Sequence, residues 1–173
     1  MCRDFGARRR DNQATMPLQA RAPSVLFICT GNICRSPTAH ALLVHKAREA
    51  GFSVEVDSAA ISNEECGNPV DRRSVAEAKR RGIAMPERVA RQVTAEDLVR
   101  FDHVIAMTRA HCASLRRLAS PEGSAKVRLL LDGRDVPDPW YGDQRDFVAV
   151  FDLIDGGVDA LLTQLRHPAQ DTL

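Results

Sequence analysis

No stretch of this 173-residue chain approaches the roughly 18 consecutive apolar residues that a membrane span requires, so no membrane insertion is expected. Residues 1–22 are arginine-rich and have no continuous apolar segment behind the charges. They therefore lack the character of a signal peptide, which favours a cytoplasmic location. There is no excess of either charge: the net value of +1 supplies no field to collect nucleic acid, and no nucleic-acid partner is expected. A disulfide framework is missing too. The five cysteines, Cys2, Cys29, Cys34, Cys66 and Cys112, are odd in number and thinly spread, as suits a reducing compartment. Internal repeats and low-complexity tracts are absent, and a monomer is the default expectation.

With 44% apolar and 27% charged residues, the chain has the composition of a globular protein and is long enough for one well-cored domain. Its organisation reads as a flexible leader over 1–22 containing Arg8-Arg9-Arg10, a folded domain over 23–168 and a short tail over 169–173. Ser24–Ile28 has the continuous apolar core of a strand buried on both faces. Ala39, Leu42, Leu43 and Ala47 then recur at helical spacing up to Gly51. Strands are expected at 52–56, 103–107 and 127–131. Helices are expected from a Ser74/Glu77 capping box to Gly82, from Thr94, over 109–118 and along the stripe from Phe147 to Leu165. Residues 132–144, rich in Asp, Pro and Gly, read as loop. This alternation predicts an α/β fold, a three-layer sandwich with a parallel sheet flanked by helices.

The most informative segment is Cys29-Thr30-Gly31-Asn32-Ile33-Cys34-Arg35-Ser36-Pro37, placed between the first strand and the first helix. Ligands of open α/β sheets sit beyond the carboxyl ends of strands, and successive backbone N–H groups at a helix N-terminus converge on an anion. Gly31 is expected to supply a conformation that a Cβ would resist, and Asn32 to take up a left-handed one. Arg35 offers a planar fork for two oxygens of a phosphate-like dianion. The same donors favour negative charge on the Cys29 sulfur, which lies at the floor of this cradle, placed to attack phosphorus. Ser36 can donate its hydroxyl to that sulfur, and Pro37 suits a first helical turn. The segment lacks the Gly-Lys-Ser/Thr of a nucleotide-binding loop. Its cysteines are too far apart for a thioredoxin-like pair, and no four-ligand zinc set can be assembled around them. No metal or other cofactor is expected.

Cleavage of a phosphate monoester also needs a proton for the leaving oxygen. Asp135-Val136-Pro137-Asp138-Pro139-Trp140-Tyr141-Gly142 supplies candidates: Asp138 is held between two prolines, and Trp140 and Tyr141 can wall an apolar pocket. Asp132, Asp135 and Asp143 remain open as alternatives on residue chemistry alone.

With these motifs in hand, the chain resembles the low-molecular-weight protein-tyrosine phosphatases over about residues 23–166. Residues 29–37 match that family's signature loop, and Asp138-Pro139-Trp140-Tyr141-Gly142 matches its general-acid segment. The resemblance implies a four-stranded parallel sheet and a phosphocysteine intermediate, with Cys29 as nucleophile, Arg35 as phosphate clamp and Asp138 as general acid and base. Thr30, Gly31, Asn32, Ile33, Cys34, Ser36, Glu64, Trp140 and Tyr141 are then the phosphate- and substrate-binding positions. It also implies that Cys34 protects the nucleophile through a reversible disulfide. The expected partners are a phosphotyrosine-containing protein or a small aryl phosphate, with phosphate, sulfate or vanadate as site ligands. Glu64 stands where many members carry an aromatic, Arg88 where many have a histidine behind the loop, and Thr108 replaces an acidic residue. A protein-arginine phosphatase, a thiol-dependent arsenate reductase and a catalytically silent phosphate-binding module share enough of this pattern to stand as alternatives. Ile33 leans toward phosphotyrosine, and Cys66 and Cys112 make no obvious relay for a reductase.

Overall fold

The computed structural model describes residues 21–168; the leader up to residue 20, with Cys2, and the last five residues lie outside them. The elements follow in the order β1 (Ser24–Cys29), α1 (Arg35–Glu49), β2 (Glu55–Ala60), α2 (Arg72–Arg80) and α3 (Ala95–Arg100). These are followed by β3 (His103–Ala106), α4 (Arg109–Leu118), α5 (Pro121–Ala125), β4 (Val127–Leu129) and α6 (Gln144–Arg166). The four strands form one parallel sheet in the order β2-β1-β3-β4.

The apolar run of β1 explains its inner position. Val25 and Phe27 pack with Leu42 and Leu43 of α1 and with Phe151, Ile154 and Val158 of α6 on one face of the sheet. Leu26 and Ile28 pack with Leu98, Phe101 and Leu115 on the other. Strand alternation therefore points Cys29 to the α1 side. Register pairs Cys29 with Ala60 of β2 and Ile28 with Ala106 of β3, so strands on both sides fix the height of the first βα turn.

Several boundaries differ from the sequence reading, among them the fourth strand, which ends at Leu129 instead of 131. The second strand is Glu55–Ala60, displaced toward the polar Asp57-Ser58, because pairing with the buried β1 outweighs the alternation of residues 52–56. Helix α2 is capped by Asp71, whose side chain accepts from the Arg73 amide. Ser74 and Glu77 are interior and buried, and Glu77 pairs with Arg80 and Arg81 instead of closing a capping box. The short α5 carries its own Ser120 cap and Pro121 start, in a stretch for which no element was expected. Gly156 and Gly157 do not interrupt α6. A Cβ on Gly157 would come within 2.7 Å of Leu130 Cγ, so this glycine lets the helix approach the chain after β4.

Candidate active site

The turn from β1 into α1 closes around the Cys29 sulfur. The Asn32 amide donates to Sγ at 3.2 Å, and Ser36 Oγ lies 3.0 Å from it. Asn32 Nδ2 donates to Ser36 Oγ at 2.9 Å, which occupies an acceptor position of that oxygen and leaves its proton for the sulfur. Asn32 is the hub of the support behind the loop. It also donates to Ser58 Oγ at 3.0 Å and accepts from the Arg91 amide at 3.2 Å. Arg91 in turn bridges Asp57 and Asp97, and Arg88 pairs with the same Asp57, placing it in the network behind the loop.

Asn32 holds φ at 57°, the left-handed geometry expected of it. Gly31 does not have positive φ; what it provides is room, since a Cβ there would come within 2.9 Å of Glu65 Cγ.

Helix α1 differs from the other five described helices. Each of those has a side-chain cap, whereas α1 has Cys34 at its cap position with no side-chain cap bond. Its leading amides are the kind of uncapped donors that suit an anion. Arg35, the first residue of α1, is almost fully buried. Its Nη1 donates to the Val136 carbonyl at 3.2 Å, and its Nη2 donates to Thr30 Oγ1 at 3.3 Å and Asp138 Oδ2 at 2.7 Å. Its Nε is buried and has no partner among the described residues. The loop between β4 and α6 is thereby drawn across the sheet to the phosphate loop, and the backbone bond from Val136 N to Met107 O fixes it upstream at 2.8 Å.

Of the expected site residues, Cys29, Thr30, Gly31, Ile33, Cys34, Arg35, Glu64, Asp138, Trp140 and Tyr141 line one cavity of about 160 Å³. Asn32 and Ser36 do not reach its wall; both are buried behind the loop. Asp132, Asp135 and Asp143 do not line it. Ser62 and Glu65 do, and the sequence reading missed them because nothing in a polar loop marks which side chain turns inward. His111 was also missed. Thr108 caps α4 by accepting from the His111 amide, and the His111 ring meets Thr30 Oγ1 through Nε2 at 2.9 Å. Burial, then the nearby Arg35, push its pKa down to about 4, so the ring is neutral near pH 7. Burial, then Asp71, push the Cys34 thiol up to about 12, so Cys34 stays protonated beside Cys29. Cys29, Cys34, Cys66 and Cys112 are all unpaired. No cluster among the described residues has the ligands to hold a metal ion, and no described helix is long and apolar enough to cross a membrane.

A family model for low molecular weight phosphotyrosine protein phosphatases matches residues 24–171. The chain belongs to that family. It is 37% identical over 155 residues to the low molecular weight protein-tyrosine-phosphatase YfkJ of Bacillus subtilis, covering 85% of this chain and 98% of the relative. The human low molecular weight phosphotyrosine protein phosphatase is 40% identical over 137 residues, 74% of this chain and 86% of its own. The crystal structure of YfkJ superposes with a TM-score of 0.81 over 88% of this chain and 99% of that one, at 36% identity. Vibrio vulnificus Wzb, solved in complex with benzylphosphonate, gives 0.75 over 82% of this chain and 98% of its own, at 28% identity. The family membership and the four-stranded parallel architecture agree with the reading from residues 29–37 and 138–142.

Proposed function

We propose that this phosphatase-family chain hydrolyses aryl phosphate monoesters, phosphotyrosine in proteins foremost, through a phosphocysteine. The observation that carries the reading is the convergence of three groups, two from the turn between β1 and α1 and one from a loop about a hundred residues later. The Cys29 sulfur accepts from Asn32, the Arg35 guanidinium stands at the head of uncapped α1, and Asp138 touches that guanidinium. A bound dianion gives the orphaned Arg35 Nε–H an acceptor and takes the place of the missing cap. In the first step the Cys29 sulfur attacks phosphorus, the bond to the aryl oxygen breaks, and Asp138 gives that oxygen its proton. In the second, water attacks the phosphocysteine and loses a proton to Asp138. Cys29 then leaves as a thiolate, stabilised by the Asn32 N–H and the Ser36 O–H.

The cavity wall supports an aromatic substrate: Ile33 is apolar, and Trp140 and Tyr141 stand on the rim. Glu64 and Glu65 lie on the same wall, so peptides with basic residues near the phosphotyrosine fit this rim better than acidic ones. The free cysteines suit a cytoplasmic enzyme, and we retain a monomer as its working state. We also retain a Cys29–Cys34 disulfide as the protective form of the nucleophile. Cys29→Ser should abolish turnover and leave phosphate binding in place; repeated turnover by that variant refutes the nucleophile. A panel of phosphotyrosine, phosphoarginine and phosphoserine peptides tests the substrate class, and preference for phosphoarginine overturns the tyrosine reading.

A further inference from the structure

Asp138 sits on a segment that burial does little to hold. Trp140 is 39% exposed and Tyr141 95%, and Asp138 is exposed as well; of residues 137–141 only Pro139 is buried. Upstream the segment is fixed by buried Val136. Downstream, α2 meets it through Arg73. Arg73 Nη1 donates to the carbonyls of Trp140 and Gly142, both at 3.2 Å. The rest of its fork is taken by Asp71, with Nε to Oδ1 and Nη2 to Oδ2 at 3.0 Å each. Its Cζ lies 4.2 Å from the Phe147 ring centre, at the start of α6, and 5.5 Å from that of Trp140. Asp71 is itself tied to the phosphate loop, since its amide donates to the Ile33 carbonyl at 2.8 Å. A continuous path of hydrogen bonds therefore runs from the phosphate loop through Asp71 and Arg73 to the two carbonyls that follow Asp138.

We propose that Arg73 is a positioning residue for proton transfer: it registers the Asp138 segment against the phosphate loop, so that the carboxyl group meets the leaving oxygen of a substrate seated on Arg35. This rests on the reading of Asp138 as general acid. The fork is essential to the role. A lysine ammonium is a point charge on a flexible stem and cannot hold Asp71 through two parallel bonds while it donates to two carbonyls. Arg73 touches neither substrate nor the reacting atoms, so its effect is confined to the group it places.

The test is a double-mutant cycle of Arg73→Met and Asp138→Asn, read as kcat/KM on phenyl phosphate, a poor leaving group, and on dinitrophenyl phosphate, a good one. Because kcat/KM reports only steps through phosphoryl transfer to Cys29, it isolates the acid role. Arg73→Met should lose tenfold or more on phenyl phosphate and less than threefold on the activated ester. It should add little further loss in the Asp138→Asn background. Arg73→Lys should recover less than half of the lost activity. Equal losses on the two esters, or full additivity with Asp138→Asn, would mean that Arg73 serves general stability and would overturn the proposal. So would complete rescue by lysine. Absence of any leaving-group dependence in Asp138→Asn alone would instead remove the general-acid reading, and this inference with it. Urea denaturation of each variant keeps a loss of folding separate from a loss of registration.

Discussion

In the described structure the guanidinium proposed as the phosphate clamp is occupied by the carboxylate proposed as the acid. Asp138 Oδ2 lies 2.7 Å from Arg35 Nη2, with the Arg35 side chain 4% exposed and that of Asp138 45% exposed. A dianion arriving at Arg35 must displace this carboxylate or share the guanidinium with it. Removing the charge by Asp138→Asn therefore eliminates a competitor and a source of like-charge repulsion. Half-exposed ion pairs lie near the upper end of the surface range, about 1 kcal/mol, because solvent screens the open partner. That corresponds to about fivefold in affinity, and the lost repulsion acts in the same direction. Inorganic phosphate, measured by calorimetry near pH 7, should bind Asp138→Asn about fivefold more tightly than the parent. The difference should shrink at high salt. Turnover on phenyl phosphate should move the opposite way. The asparagine side chain preserves volume and an acceptor for the Trp140 amide, which Asp138 Oδ1 receives at 3.1 Å, so the comparison isolates charge. Unchanged or weaker phosphate binding would show that the Arg35–Asp138 pair does not compete with the dianion.

Three further outcomes follow from the geometry. Asn32→Ala removes the hydrogen-bond hub and places a Cβ-only residue at φ 57°, whereas Asn32→Gly removes only the hub; the alanine variant should be less stable by about 1 kcal/mol in urea denaturation, and both should lose turnover. If alanine matches glycine, backbone conformation is not what Asn32 supplies. Glu77→Gln should cost on the order of 2 kcal/mol, because the buried carboxylate holds Arg80 and Arg81. Those partners, Arg80 first, lower its pKa from 4.5 to about 2, so its stabilisation is complete above pH 4.5 and fades as pH falls toward 2; a variant with an unaltered acid profile contradicts this. His40 and His111 both fall from 6.5 to about 4, chiefly through burial. The unfolded chain takes up these protons first, so stability should decline from pH 6.5 to 4 by up to about 1.4 kcal/mol per pH unit for each histidine, and His111→Gln should flatten that slope.

The parts of the site legible in the sequence are those that one local segment builds. Residues 29–37, which hold the proposed nucleophile, clamp and support, form a single strand–turn–helix, and the buried run of β1 marks where that turn must stand. The edges of the fold were less legible. The polar stretch of β2 is a strand because β1 pairs with it, and Asp71 rather than Ser74 caps α2 because its amide is held by the Ile33 carbonyl and its carboxylate accepts from the Arg73 amide. His111 and Arg73 are invisible locally: each acts across more than 60 residues of sequence, on Thr30 and on Trp140 and Gly142. Gly31 shows the same limit, since its reason is the approach of Glu65 and not its own backbone angle.

The sulfur and the guanidinium arrive together on one short stretch anchored in the middle of the sheet, while the carboxyl group comes from a hundred residues away on a strap fastened at only a few points. These two halves of the machine can therefore separate. Warmed or mildly denatured, the protein should release its strap in a sub-global opening before the sheet gives way. It would then be an anion receptor that has stopped turning over, with inactivation running ahead of unfolding.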